Sequence, residues 1–229
     1  MLKIAYFGSD KFSIRCLTHL LPKYADAITV VARKAKLSGR GLKQYKEPLI
    51  VRYANQTGLP LVRADERADF ERLRGQFDIC VAVSFGLLIP ASFLESLQYP
   101  GLNVHPSLLP AFSGPAPMQR ALLSHQNYTG VSLQTLDKKR FDRGRILAQD
   151  RQEIAETETL DSLCEKLADA GRLQGESAHP QTRLSAKFAT SYHTRRVCTA
   201  RTILSQRRKI DCGHPRQRRR VRDRKTGGF

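Results

Sequence analysis

The sequence lacks the features of several protein classes. Its cysteines are odd in number and include no CxxC pair, so neither a disulfide framework nor a structural zinc site is expected, and we expect no metal. The five cysteines are Cys16, Cys80, Cys164, Cys198 and Cys212. No apolar run approaches the roughly 20 residues of a membrane-spanning helix. We therefore expect no membrane partner, and a reducing compartment fits the cysteine usage.

Acidic residues are scarce compared with basic ones. The chain of 229 residues has 39 Lys plus Arg against 21 Asp plus Glu, a formal net charge of +18. Residues 174–229 hold 15 of the basic residues and only 3 of the acidic ones. An excess of this size is typical of a protein with a polyanionic partner, usually a nucleic acid. The alternative is a basic tail without a specific partner.

Short apolar runs alternate with helical patterns over residues 1–173, which predicts one α/β domain with a mostly parallel sheet and helices on both faces. The predicted strands include residues 4–7, 27–32, 59–62, 79–83, 101–104 and 146–148, with another marked by Val131, Leu133 and Leu136. The clearest predicted helices cover residues 12–21, 49–56 and 159–173. Residues 33–46 are predicted as a loop, and Pro22 as the end of the first helix. Residues 174–229 have no sustained period and are predicted to form a basic, disordered tail.

Three polar residues fall at the ends of predicted strands, where ligands bind in open α/β sheets. Asn103 and His105 alternate with Val104 in extended chain, so their side chains should share one face of the sheet. Pro106 disfavours a helical conformation at His105 and preserves this geometry. Asp142 precedes the strand at Ile146 and could meet the imidazole.

This set of residues suits acyl transfer to an amine. An amide such as that of Asn103 can stabilise a developing oxyanion. A histidine paired with a carboxylate can move the proton of the amine, so no serine or cysteine nucleophile is required. The structural alternative is that His105 is a satisfied core or surface histidine and that Asp142 serves a turn before Gly144.

Several separated motifs resemble the folate-dependent formyltransferases. Residues 101–110 (GLNVHPSLLP) are similar to the signature of that family, and residues 130–133 (GVSL) with 141–144 (FDRG) to its second block. The resemblance covers residues 2–173. It implies a Rossmann-like formyltransferase fold and catalytic roles for Asn103, which would hold the formyl oxygen, for His105, which would stabilise the tetrahedral intermediate, and for Asp142, which would hold His105 in its working charge state.

Three further segments resemble the members of the family that act on methionyl-tRNA. These segments are residues 114–121 (GPAPMQRA), 38–41 (SGRG) and 84–90 (SFGLLIP). The resemblance implies that 10-formyltetrahydrofolate is the donor and that the amine of methionine on initiator tRNA is the acceptor, in translation initiation. It implies that the tRNA is gripped by Lys36, Arg40 and Lys43. The folate would be bound by Phe85, Gly86, Leu87, Leu88, Ile89, Pro90, Ser107, Leu108, Leu109 and Pro110.

The chain also departs from that family. Ser113 stands where many relatives carry arginine, Arg145 replaces a common acidic residue, and the C-terminal β-barrel domain of the family is not recognisable. Residues 8–13 and 138–142 resemble mitochondrial members, which implies the mitochondrial matrix, or otherwise the cytoplasm, although no transit peptide is recognised. We also expect a monomer. Three hypotheses stay open: a tRNA formyltransferase whose tail replaces the missing domain, a small-molecule formyltransferase or formyl-folate hydrolase, and a truncated inactive product that binds RNA nonspecifically.

Overall fold

The computed structural model describes residues 2–38 and 44–171. It contains nine strands, six α-helices and one short 3-10 helix (Ala25–Ala27) in this part of the chain. The strands are β1 (Ile4–Gly8), β2 (Ile28–Ala32), β3 (Lys36–Ser38), β4 (Gln44–Lys46), β5 (Leu61–Arg63), β6 (Ile79–Val83), β7 (Leu102–His105), β8 (Tyr128–Thr135) and β9 (Ile146–Glu153). The helices are α1 (Lys11–Tyr24), α2 (Leu49–Thr57), α3 (Arg67–Leu73), α4 (Ala91–Glu95), α5 (Pro117–Leu123) and α6 (Leu160–Ala170). The predicted boundary at residue 173 and the predicted tail lie outside the described residues.

Seven of the strands form one sheet in the order β5-β2-β1-β6-β7-β8-β9. The pairs from β5 to β7 are parallel, and β8 and β9 then join as antiparallel strands. β1 lies between β2 and β6, and all five of its residues are buried. A strand covered on both faces reads as a continuous apolar run, and for this reason the sequence revealed β1 and β6 clearly. The predicted α/β fold with a mostly parallel sheet is confirmed.

The two faces of the sheet carry different cores. On one face, alternate residues such as Ile4, Tyr6 and Leu102 pack beneath α1, α2 and α6. On the other face, Ala5 and Phe7 belong to a second core that contains several aromatic rings. The rings are those of Phe7, Phe70, Phe77, Phe85 and Phe93. Edge-to-face contacts such as Phe7–Phe85, with centroids 4.9 Å apart, each contribute about 0.5–1.5 kcal/mol beyond the area buried.

The second face changes character at β7. Because Leu102 and Val104 belong to the first core, the intervening Asn103 and His105 project from the opposite face. β8 repeats the pattern, since Ser132 and Gln134 alternate with residues of the first core and project from the opposite face. The aromatic core thus covers the parallel half of this face, and polar side chains occupy its antiparallel half.

The helix α1 begins at a side-chain cap and extends past its predicted end. The Asp10 carboxylate accepts a hydrogen bond from the backbone N–H of Ser13 at 2.9 Å, which satisfies one of the free donors at the helix start. The prediction that the helix ends at Pro22 was wrong, because the helix continues to Tyr24 with Pro22 inside it. Proline removes only its own N–H donor, and the N–H of Ala25 still closes the last turn on Leu21.

A row of ion pairs ties α6 to α1. The pairs recur every four residues on both helices, which is one face of each. They are Lys11–Asp161 (2.9 Å) and Arg15–Glu165, and Nε2 of His19 lies 3.0 Å from Oδ1 of Asp169 one turn further along. The predicted cap of α6 is confirmed at Thr159, whose hydroxyl accepts from the N–H of Ser162.

One other prediction needs correction, and two helices were missed. Residues 33–46 are not wholly a loop, because β3 and β4 pair as antiparallel strands at the two ends of this segment. The helices α4 and α5 were not predicted, since five and seven residues are too few to show a helical period. None of the helices in the described part of the chain is long and apolar enough to cross a membrane.

Candidate active site

The structure brings Asn103, His105 and Asp142 together. Asn103 and His105 project from the end of β7, and Asp142 lies in the connection between β8 and β9. The Nδ2 atom of Asn103 donates to Oδ1 of Asp142 at 3.4 Å, and Nδ1 of His105 lies 3.5 Å from the same oxygen. The side chains of His105 and Asp142 are only 8% and 9% exposed. This arrangement places a carboxylate, an imidazole and an amide within one small volume.

The backbone holds Asp142 in place from two sides. The N–H of Gly114 donates to Oδ2 of Asp142 at 2.6 Å. Asp142 itself adopts a left-handed conformation, with φ of 53°, which turns its side chain back toward the sheet. Gly144 permits this turn, because a Cβ atom at that position would lie 1.6 Å from the carbonyl oxygen of Thr135. A glycine is therefore required two residues after the carboxylate.

The imidazole of His105 lies between two acceptors. Its Nδ1 faces Asp142, and its Nε2 lies 3.2 Å from the carbonyl oxygen of Phe112. A neutral imidazole has one N–H and can satisfy only one of them, so both acceptors favour the protonated ring. Burial acts in the opposite direction and is the larger effect, and Arg120 adds to it, so the pKa of His105 lies below its ordinary value of 6.5. The ring is therefore neutral at pH 7 and able to accept a proton.

Arg120 shapes the segment that faces His105. Its Nη2 atom donates to the carbonyl oxygens of Phe112 and Ser113, the latter at 2.6 Å. Its guanidinium also lies over the ring of Phe112, 5.7 Å from the centroid. Phe112 and Gly114 both have positive φ, so this segment turns tightly around the site. Arg120 and Gly114 fall in the GPAPMQRA motif, but their contacts with the site were not predicted from the sequence.

A second network fixes the segment after His105. Ser132 pairs with His105 in the register of β7 and β8, and its hydroxyl donates to the carbonyl oxygen of Ser107 at 2.6 Å. The same hydroxyl accepts from the N–H of Leu109 at 2.9 Å and from Nε2 of Gln149 at 2.8 Å. Gln149 also donates to the carbonyl oxygen of Leu109 at 2.9 Å. Neither Ser132 nor Gln149 was predicted as a site residue.

The residues predicted to bind folate fall into three groups. The side chains of Phe85, Ile89, Ser107 and Leu109 are buried, so they hold the two loops in place. Leu108 is half-buried, and Gly86 and Pro110 are exposed. The remaining three line a cavity of about 420 Å³ together with Asp65, Arg67 and Phe70. These three are Leu87, Leu88 and Pro90. Asn103, His105 and Asp142 are not part of the lining of that cavity.

Only one of the predicted tRNA contacts can be placed. Lys36 lies on β3, with a side chain that is 59% exposed and an Nζ atom 4.0 Å from Asp65. Arg40 and Lys43 lie outside the described residues. Lys36 is therefore an exposed cation whose own ion pair is long and weak.

The described part of the chain contains three cysteines, and all three are buried. Burial raises the pKa of the thiols of Cys16, Cys80 and Cys164, so each is held as an unreactive thiol. Within residues 2–38 and 44–171, no group of three His, Cys, Asp or Glu side chains could hold a metal ion. The polar side-chain groups that meet at the described site are an amide, an imidazole and a carboxylate.

Sequence comparisons match the chain to known enzymes. The chain is 37% identical over 174 residues to a methionyl-tRNA formyltransferase of Thermus thermophilus, an alignment that covers 74% of this chain and 56% of that protein. It is 34% identical over 175 residues to a methionyl-tRNA formyltransferase of Bacillus thuringiensis (strain Al Hakam), over 75% of this chain and 55% of that protein. The chain thus spans about half the length of these curated relatives.

Comparisons of structure agree on the fold. The phosphoribosylglycinamide formyltransferase from Bacillus halodurans has a TM-score of 0.57 at 22% identity, over 74% of this chain and 89% of that one. Glycinamide ribonucleotide transformylase 1 from Symbiobacterium toebii has a TM-score of 0.58 at 21% identity, over 75% of this chain and 82% of that one. Residues 2–175 match the sequence family described as formyl transferase. With a match over most of its length and the fold in agreement, the chain belongs to the formyl transferase family.

Proposed function

We propose that this protein transfers the formyl group of 10-formyltetrahydrofolate to the amino group of methionine on initiator tRNA. The observation that carries the proposal is the meeting of Asn103 and His105 on one oxygen of Asp142, at 3.4 and 3.5 Å. The 37% identity to a methionyl-tRNA formyltransferase supports the choice of acceptor.

Asn103 supplies the electrostatic part of the mechanism. An amide carries two N–H donors, and Asp142 accepts from Nδ2 of Asn103 at the long distance of 3.4 Å. The second N–H remains to donate to the formyl oxygen as negative charge grows on it. Removing one such donor from an acyl-transfer enzyme typically lowers turnover about 10²- to 10³-fold.

His105 accepts and returns the proton, and Asp142 stabilises the charged imidazole. The incoming amine must lose a proton as its nitrogen bonds to the formyl carbon, and the neutral His105 can accept that proton near pH 7. Asp142 stabilises the imidazolium that results, because its Oδ1 lies 3.5 Å from Nδ1. The folate supplies an activated formyl group, and its nitrogen takes up a proton when the bond to the formyl carbon breaks. His105 can return the proton for that step.

The residues near the loop 84–90 suit a flat, largely apolar ring system. The cavity of about 420 Å³ falls in the usual range for small-molecule sites, and Leu87, Leu88 and Pro90 give it an apolar wall. Asp65 and Arg67 add polar groups to the lining. Phe85 and Ile89 anchor the loop in the aromatic core, and Gly86 adopts a φ of 75° that favours glycine.

The acceptor would be held by basic residues of the β3–β4 segment. Lys36 is exposed, and Arg40 and Lys43 are proposed to act with it on the phosphates of the tRNA acceptor stem. We further propose a monomer that acts in translation initiation in the mitochondrial matrix. The location rests on the similarity of residues 8–13 and 138–142 to mitochondrial members of the family.

The test is a transfer assay in which the purified chain receives labelled 10-formyltetrahydrofolate and one of three acceptors. The acceptors are methionyl initiator tRNA, methionyl elongator tRNA and glycinamide ribonucleotide. We expect label on the initiator tRNA first, and a rise in its KM in Lys36→Ala but not in the control Lys23→Ala, whose lysine lies at the end of α1. Preference for glycinamide ribonucleotide would establish the small-molecule alternative, and label in formate alone would establish a hydrolase.

A further inference from the structure

Gln134 stands beside the catalytic residues without a role in the proposed reaction. It lies on β8 directly opposite Asn103 of β7, since the two residues are partners in the register of the strands. Cross-strand partners project from the same face of a sheet, and their Cβ atoms lie about 5 Å apart. Gln134 therefore projects into the polar half of that face, and its residue is only 1% exposed.

The side chain of Gln134 contacts the catalytic carboxylate. Its Nε2 atom donates to Oδ1 of Asp142 at 3.2 Å, which is shorter than the contacts of Asn103 and His105 with the same oxygen. Oδ2 of Asp142 is held separately by the N–H of Gly114. Gln134 thus donates to the one oxygen of Asp142 that faces His105.

The other end of the Gln134 amide is unusual. Its Oε1 atom is buried and has no hydrogen-bond partner among residues 2–38 and 44–171. Burying an acceptor without a partner is unfavourable, and a methyl or methylene group in the same space would avoid that cost. A glutamine that served packing alone would be a poor choice at this position. The donor end, which reaches Asp142, gives a reason for the residue.

We propose that Gln134 is a positioning residue, which orients Oδ1 of Asp142 toward Nδ1 of His105 for the formyl transfer proposed above. The inference rests on that proposed function for its activity readout. It also predicts a property of the protein without substrate, namely the titration of His105. The charged groups that act on His105 are Asp142 and Arg120, and a substitution at Gln134 removes neither charge.

The test compares Gln134→Met with Gln152→Met in the full chain. Methionine has a similar volume and no donor, so it removes the hydrogen bond to Asp142 and the unpartnered oxygen together. Gln152 is a matched control, because its Nε2 also donates to an aspartate, Oδ1 of Asp150, at 3.2 Å, on β9 outside the site. Thermal unfolding of both variants verifies that they fold.

We expect Gln134→Met to lower kcat about 10- to 100-fold, the usual effect of losing a hydrogen bond to a charged group, with the KM of folate nearly unchanged. The acid limb of the kcat profile, which follows the protonation of the base His105, should move to lower pH. In an Asp142→Asn background, the loss of kcat should shrink to less than about 2-fold and the acid limb should stay in place, because Gln134 acts through that carboxylate. An equal loss in that background would overturn the inference and show a structural role.

A second readout separates this inference from the proposed function. The midpoint of the His105 titration, followed by NMR without substrate, should fall in Gln134→Met and stay constant in Gln152→Met, since a displaced carboxylate stabilises the imidazolium less. An unchanged midpoint overturns the positioning role, whatever the acceptor of the enzyme is.

A Gln134→Glu variant gives a further check if methionine prevents folding. Its added negative charge should lower turnover most at high pH and least where the new carboxyl is protonated, and an effect independent of pH would contradict the proposal.

Discussion

The Nδ1 atom of His105 lies 3.5 Å from Oδ1 of Asp142, and both side chains are more than 90% buried. Two residues that are 37 positions apart meet because β7 ends at His105 and the connection after β8 folds back over that end. The carboxylate is in turn fixed by the N–H of Gly114 at 2.6 Å. The charge state of the imidazole is therefore governed by burial on one side and by Asp142 on the other.

Replacing Asp142 by asparagine should lower the pKa of His105 further. The carboxylate opposes the effect of burial, so its neutralisation leaves desolvation unbalanced. Turnover should fall about 10²- to 10⁴-fold, the range that a positioned acid–base group contributes. NMR titration of the imidazole and steady-state kinetics measure the two effects. A His105 pKa that rises in Asp142→Asn would contradict the arrangement.

Folding stability should depend on the protonation of His105. Its pKa in the folded protein lies below the ordinary value of 6.5, so the unfolded chain binds the proton more readily. The contribution of His105 to the free energy of unfolding should thus be fully present above pH 6.5. It should decrease as the pH falls through 6.5 toward the lower folded pKa. Urea unfolding at pH 7.5 and 5.5 measures the loss, which should be smaller in His105→Gln. His125→Gln, at an exposed position after α5, serves as the control.

Ser132→Ala should destabilise the segment after His105. The change leaves the buried N–H of Leu109 without its acceptor and the carbonyl oxygen of Ser107 without its donor. A buried group left unpaired costs about 1–3 kcal/mol. Chemical denaturation measures that loss, and the KM of folate should rise in parallel. Ser124→Ala, at an exposed position after α5, should change neither quantity.

Gly144→Ala should displace Asp142. The added Cβ would lie 1.6 Å from the carbonyl oxygen of Thr135, which is backbone of β8 and cannot rotate away. Overpacking of this kind costs about 1–3 kcal/mol or more, and the turn that carries Asp142 must move. We expect a large loss of kcat together with lower stability. Gly58→Ala is the control, because no atom lies within 4 Å of the added Cβ there and only the left-handed backbone is strained.

Much of the fold could be predicted from the sequence, and the reason is the burial of the sheet. β1 and β6 are covered on both faces and appear as unbroken apolar runs. The pair Asn103 and His105 could also be predicted, because alternation along a strand fixes which side chains share a face. The short helices α4 and α5 could not, since they depend on a few buried contacts such as those of Met118 and Ala121.

The supporting residues of the site depend on strand register, which a single sequence does not reveal. Gln134 resembles any polar residue on one face of a strand, and only the pairing with Asn103 places it against Asp142. Ser132 acquires its role in the same way, opposite His105. Arg120 acts through carbonyl oxygens of Phe112 and Ser113, and these contacts require the tight turn formed by residues with positive φ.

The most direct test of the account is a single-turnover measurement of formyl transfer to methionyl initiator tRNA by the full chain, by His105→Ala and by the control His19→Ala. Affinity for the non-transferable 5-formyltetrahydrofolate is measured on the same samples. We predict transfer by the wild type and by His19→Ala, and a loss of at least about 10²-fold in His105→Ala with folate affinity retained. Transfer by His105→Ala at the wild-type rate would contradict the catalytic assignment, and absence of transfer by a folded, folate-binding wild type would contradict the proposed function.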